Sequence, residues 1–372
     1  MTRWVHPNVG GEEPLSGAPP PVVACVARLF TALFPNDTRR SDDGPAARDG
    51  FGFRTEGAAF RWLARDPALY AWWNDAEAAR LADAHGVPLV GAAPDVARAV
   101  HDKAFALETC RDEGYEARSL RGLCQAFGPE ELADADGFVA TLQRRLADWP
   151  AWTGGRFTLK PRLGASGRGR VGGLRGGDFA ELRRALPRLA RQGGALLEPW
   201  LERERDLSVQ LFVDGDGTLT LLGSLVQQVS ASGVYRGHTG RLDHRLRVAS
   251  GCAEDADVLD AACAVARAAH ARGFRGPCGV DAFVFRGPDG PELRPVVELN
   301  ARFTMGTLVA GLLRLARPAL RKRLPAGAGE TRHFRFALTP PEAEPADGIV
   351  LPLGRDDGGF GPALVVLRSS GD

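Results

Sequence analysis

Two stretches constrain the fold more than any others: DLSVQLFVDGDGTLTLLGSLVQQVS (206–230) and GPCGVDAFVFRGPDGPELRPVVELN (276–300). Each is a pair of apolar, β-favouring runs joined by Gly, Asp and Pro, the signature of an antiparallel hairpin. Between them, ADVLDAACAVARAAHARG places Ala and Val at helical spacing. A sheet with one apolar face needs helices to cover it, so the chain reads as α/β with α+β lobes. At 372 residues it is too long for one simple core and suits about three lobes, read as 1–100, 101–200 and 201–372.

The rest of the chain fills in this frame. PVVACVARLF near the start predicts a strand followed by a turn of helix. A helix over 75–85 should stop at Gly86 and give way to a short strand over 87–90. APDVARAVHDKAFALETCRDEGY is helical with a stop near Gly114, and a mostly helical unit follows to about Trp149. FTLKPRL is a strand, the glycines at 164, 167 and 169 make a turn, and DFAELRRALPRLARQ is a helix before the strand ALLEPWL. TLVAGLLRLARPALRKRL is helical, with strands in RHFRFALT and GPALVVLRS after it.

Composition narrows the function classes. Lys and Arg number 47 against 46 Asp and Glu, a net +1, so no global field favours nucleic acid. The six cysteines are scattered without a CxxC pair or a His cluster, which speaks against zinc and fits reduced thiols. No signal peptide and no apolar run of about 18 residues is evident, so a cytoplasmic protein without a membrane span is expected.

The chemistry concentrates in two places. In FTLKPRLGASGRGR, Lys160 ends an apolar strand and a basic glycine loop follows. Backbone amides and cations in such a loop can surround phosphate oxygens. The alternative is a surface hairpin with a snorkelling lysine. The loop is not a Walker A sequence, and it lacks the βαβ context of a dinucleotide fingerprint. In the second hairpin, Glu298 and Asn300 are two apart and share a face, with Asp281 opposite or diagonal on the paired strand. Hard oxygen ligands grouped there suit Mg²⁺, or Mn²⁺, shared with phosphates. The bland reading is solvent-facing polar positions on half-buried strands.

In that order the motifs resemble an ATP-grasp enzyme over roughly residues 75 to 315. The resemblance implies two nucleotide lysines, Lys103 in HDKAFAL and Lys160 in FTLKP. It implies a phosphate loop containing Gly164, Ser166 and Gly167. ALLEPWL is similar to the hinge strand that reads adenine, with Glu198 on the exocyclic amine and the backbone of Trp200 or Leu201 on the ring. Asp206 stands where the family commonly has a ribose-binding Glu, and its shorter arm is a departure. Asp281, Glu298 and Asn300 resemble the metal ligands, and Arg302 in ELNARF takes the place of an arginine that faces phosphate or substrate. By this resemblance the preceding small α/β domain leads into an ATP-grasp fold. The implied chemistry moves the γ-phosphoryl group of ATP onto a carboxylate, for attack by an amine or related nucleophile, releasing ADP.

The substrate is less legible. SASGVYRGHTGRLDH (230–244) offers Arg236 and His238 as grips for an acceptor carboxylate, or is a solvated loop. His101 reads as a capping or surface group. A Leu-rich helix near 308–322, if exposed, would suit a homodimer interface. Small-molecule or short-peptide acid and amine substrates are expected, with no nucleic acid or membrane partner. The alternatives are a bicarbonate-using, carboxylase-like enzyme, a small-molecule kinase, or an inactive ATP sensor.

Overall fold

The computed structural model describes residues 2–10, 20–42, 48–164, 169–230, 235–325, 327, 330–339, 345–354 and 361–368. Three sheets organise them. The first is small and parallel, in the order Arg39–Arg40, Arg3–His6, Ala68–Ala71. The second has four strands in the order Gln125–Phe127, Ala195–Pro199, Arg156–Pro161, Val171–Leu174. The third is a long antiparallel sheet: Gly290–Asn300, Gly276–Gly287, Arg203–Val213, Leu219–Val229, Tyr235–Leu242, Arg332–Ala337, Ala363–Arg368, Gly348–Pro352. Both hairpins expected from the sequence form and pair side by side, Asp281 lying opposite Ser208. The strand Gly348–Pro352 is an addition to that reading.

Local chemistry explains most elements. The helix Ala76–His85 starts where the Asp75 carboxylate accepts from the Ala78 amide and ends at Gly86, whose φ of 63° a left-handed cap requires. PVVACVARLF is not a strand but part of the helix Pro20–Thr31. Its buried Val26, Leu29 and Phe30, followed by Leu33, repeat at helical and not alternating spacing. Residues 87–90 form only one bridge, Leu69 to Leu89, because Pro88 has no N–H with which to extend a ladder.

The large sheet and the N-terminal segment share one core. Trp62 stacks on Phe212 at 4.2 Å and Phe30 meets Phe303 edge-on at 4.7 Å. A second core, including Phe138, Leu142, Phe157, Leu186 and Leu197, backs the four-stranded sheet. The helix Met305–Leu315 buries Leu308, Leu312, Leu313 and Leu315 in the first core. Its leucines therefore belong to the interior, and the expectation of an exposed leucine-rich face is overturned. Burial pushes the Cys110, Cys124 and Cys278 thiols up to about 12, 11 and 12. Those three supply no thiolate near neutral pH. Among the described residues, no helix is long and apolar enough to cross a membrane.

Candidate active site

Charged side chains are concentrated where the four-stranded sheet faces the large one. Thr158 pairs with Glu198 and Lys160 with Leu196, so Lys160 and Glu198 are diagonal neighbours on one face of the smaller sheet. They form an ion pair. The other Glu198 oxygen accepts from Arg294 of the large sheet at 2.6 Å, so this carboxylate joins the two sheets. Glu198 is only 2% exposed. Burial pushes its carboxyl up, but Arg294 and Lys160 outweigh that and hold it down at about 2. For Lys160, burial dominates and lowers the ammonium, with the Glu198 charge opposing it.

Lys103 enters from a helix. The helical run after Pro94 is two helices, Pro94–His101 and Lys103–Asp112, divided at an extended Asp102. The Asp102 carboxylate accepts from the Ala104 amide and grips Arg162, at 2.7 Å in its closest contact. An aspartate inside a helical pattern was thus a cap signal. The break aims Lys103 Nζ at the Gly164 carbonyl, 2.6 Å away, and at Glu298, 3.1 Å away.

Asp281 and Glu298 are direct partners across the second hairpin. Asp281 accepts from Ser208 at 2.8 Å, Gln227 at 2.6 Å and Asn300 at 3.1 Å. Both acids are only partly buried by surface area, yet the surrounding protein desolvates them. Burial, then the neighbouring Glu298 charge, raises Asp281. Burial also pushes Glu298 up, but Lys103, Lys160 and His101 outweigh it and depress its carboxyl. Two adjoining carboxyls driven in opposite directions mark a site where charge is being arranged.

Behind Asp281 lies a polar network. Gln210, fully buried, donates to Ser208 at 2.6 Å and accepts from Thr304 and Thr307, the latter at 3.1 Å. Glycines at 279 and 306 make room for it, since a Cβ at either would press on the Gln210 amide. Gln210→Leu should remove the shared acceptor of both hydroxyls, which then keep each other at 3.2 Å, and cost about 2 kcal/mol of stability. Urea unfolding would check this; a loss under a few tenths would show that the network carries little energy.

The other expected residues fall around this centre. Asp206 is held by Arg203 at 2.7 Å, and Arg203 itself lies over Phe283 at 4.3 Å. Trp200 carries Arg170 on its ring at 4.7 Å, while Leu201 packs at the Phe283–Phe285 cluster. Arg302 is buried against Asn300 and over Trp72. Ser166 and Gly167 lie outside the described residues. The 230–244 segment is not a loop throughout, since Tyr235–Leu242 is a strand. Arg236 is exposed, whereas His238 is 1% exposed and pairs with Gln227, on the same sheet face as Asp281. His101 is buried, its ring against the Leu299 carbonyl, and is neither cap nor surface. Arg203, Ser208, Gln210, Gln227 and Arg294 went unread in the sequence. The even spacing of Arg294 from Glu298 was the available signal.

Tyr235 and His238 are 2.7 Å apart. Burial raises the tyrosine well above 10, so its hydroxyl stays protonated against His238 Nδ1, and the other ring nitrogen is Nε2. That Nε2 is buried without a hydrogen-bond partner among the described residues. Burial holds the imidazole down at about 3. A histidine neutral in the fold gains its proton on unfolding, so its stabilising share is complete above 6.5 and is lost as pH falls toward 3. His238→Gln should flatten the fall of stability across that window by about 1.4 kcal/mol per pH unit. An unchanged slope in urea titrations would contradict a neutral buried His238.

Comparison with solved structures finds the same architecture. Carboxyaminoimidazole ribonucleotide synthase from Aspergillus clavatus, complexed with ATP, aligns with a TM-score of 0.52 at 15% identity, over 99% of this chain and 94% of that one. N5-carboxyaminoimidazole ribonucleotide synthetase from Thermus thermophilus aligns at 0.50 and 16% identity, over 100% and 88%. Biotin carboxylase from Campylobacter jejuni, in its β-γ-ATP complex, aligns at 0.52 and 13% identity, over 81% and 71%. The chain has an ATP-grasp-like fold. The resemblance read over residues 75 to 315 thus extends to most of the chain. No family model and no curated protein matches the sequence.

Proposed function

We propose that the chain is an ATP-dependent, ADP-forming ligase that activates a carboxylate as an acylphosphate for attack by an amine. The observation that carries this reading is the charge arrangement between the sheets. Lys103 on Glu298 and Lys160 on Glu198 are cations now neutralised by protein carboxylates, beside a second acid, Asp281. A triphosphate with its cation fits such a centre, because phosphate oxygens can take over the lysines as Glu298 turns to the metal.

The donor set fits a magnesium ion that is shared with a nucleotide. Among the described residues, no three of His, Cys, Asp or Glu form a metal cage. Two carboxylates and the Asn300 amide suit Mg²⁺, which completes its shell with phosphates and water. Asn300 now presents its amide nitrogen to Asp281 and its oxygen to Arg302, so serving as a ligand requires its amide to turn. When bound, MgATP would supply the phosphoryl group and screen its charge.

The chain's own groups then divide the work. Lys103 and Lys160 hold phosphate oxygens, and Gly164 begins the loop that follows the Lys160 strand. Ser208, Gln227 and Gln210 fix Asp281 in orientation. Trp200, Leu201 and Asp206 border the base and ribose side. Glu198 can accept from an adenine amine only while sharing its oxygens with Lys160 and Arg294. Arg302, beside Asn300, is placed for the reacting carboxylate. His238 lies three strands from Asp281, roughly 14 Å along the sheet. It therefore serves a remote group of the acceptor rather than the reacting centre.

Product analysis tests the reading. Incubation with ATP, Mg²⁺ and a panel of acids (bicarbonate included) and amines should release ADP and phosphate together with a new amide. A stable phosphorylated product without phosphate release would replace the ligase with a kinase. ATP binding without turnover across the panel would leave a nucleotide sensor.

A further inference from the structure

A second cationic surface lies away from this cleft. On the strand Tyr235–Leu242, Thr239 and Arg241 alternate with His238, so they occupy the opposite sheet face. Across the ladder, Arg241 pairs with His333 and Thr239 with Arg335. These residues line a groove of about 590 Å³ whose far wall is the turn from Ser250 to Glu254.

The wall is built rather than loose. Asp255 accepts from Ser250 Oγ at 2.6 Å and from the Gly251 amide at 3.1 Å, and the Cys252 amide donates to Ser250 Oγ. Gly251 has φ 75°, and a Cβ there would lie 2.5 Å from Arg241 Cδ. The turn thus makes room for the Arg241 arm along the groove. Arg205, which also lines the groove, is paired with Glu254 at 2.9 Å. Arg241 and Arg335 have no carboxylate partner among the described residues.

Like charges on adjoining strands repel and are a net cost when nothing lies between them. Two guanidiniums without a carboxylate partner among the described residues, on diagonal strand positions roughly 7 Å apart at the backbone, can grip one doubly charged group or two neighbouring ones. His333 sits directly opposite Arg241 and two residues before Arg335, on the same sheet face. We infer that this groove binds a small phosphorylated anion, at a site separate from the cleft that holds Lys103 and Lys160. The inference stands whether or not the chain is a ligase.

Calorimetric titration with inorganic pyrophosphate tests it, using the full chain, Lys160→Ala, and an Arg241→Gln/Arg335→Gln double variant. Lys160→Ala should retain a pyrophosphate site, because the groove is untouched. The double variant should lose affinity at that site by about tenfold or more. Its thermal stability without ligand should equal or exceed that of the parent, since a repulsion has been removed. No pyrophosphate site in Lys160→Ala, unchanged affinity in the double variant, or a marked fall in its stability would each overturn the inference.

Discussion

Glu198→Ala is expected to destabilise the protein by about 3–5 kcal/mol, the largest stability loss foreseen for any single change in the cleft. The carboxylate is buried between Lys160 and Arg294, and its removal leaves two desolvated cations facing one another. The pair as a whole need not stabilise the fold, because each charge was costly to bury. Breaking it is costly in a different way: nothing remains to offset the desolvation of the survivors. The same substitution in an Arg294→Met background should therefore cost measurably less. Urea unfolding of the four proteins in that cycle gives the coupling directly. A loss below about 1 kcal/mol for Glu198→Ala alone would mean that water reaches Lys160 and Arg294, and that the two sheets are not joined as described.

The second large effect is on turnover. Glu298→Gln should lower ATP-dependent ADP release by about 100-fold or more while the fold persists. The amide keeps the shape and can still lie beside Lys103, but it no longer carries the charge that a bridging cation needs. Its loss should also relieve Asp281, whose carboxyl is raised in part by the Glu298 charge. Activity measured against Mg²⁺ concentration should show a higher requirement as well as a lower ceiling. Turnover with an unchanged Mg²⁺ dependence would place the metal elsewhere.

Much of this was legible because short-range rules decided it. Alternation and GPDG specified the second hairpin, which placed Asp281 opposite Glu298 as expected. The Asp75 cap and Gly86 stop were equally local. What escaped depended on partners far away in sequence. Arg294 reads as one more charge on a strand until Glu198, 96 residues earlier, is brought against it. Gln210 looks like a polar interruption of an apolar run, and only Thr304 and Thr307 explain its burial. The leucines of Met305–Leu315 look like an interface from sequence because periodicity reveals an apolar face and not what covers it. His238 is a similar case: a hydrophilic stretch suggested solvent, while strand pairing with Gln227 and Phe336 buried it.

The ligase reading ultimately requires MgATP in the cleft between the two sheets. ATP binding by calorimetry, with and without Mg²⁺, on the parent protein and Lys160→Ala tests that most directly. Magnesium-dependent binding in the parent, weakened tenfold or more in Lys160→Ala, is the predicted result. Equal ATP affinity in the two proteins would contradict it, because Lys160 would then lie outside the nucleotide site.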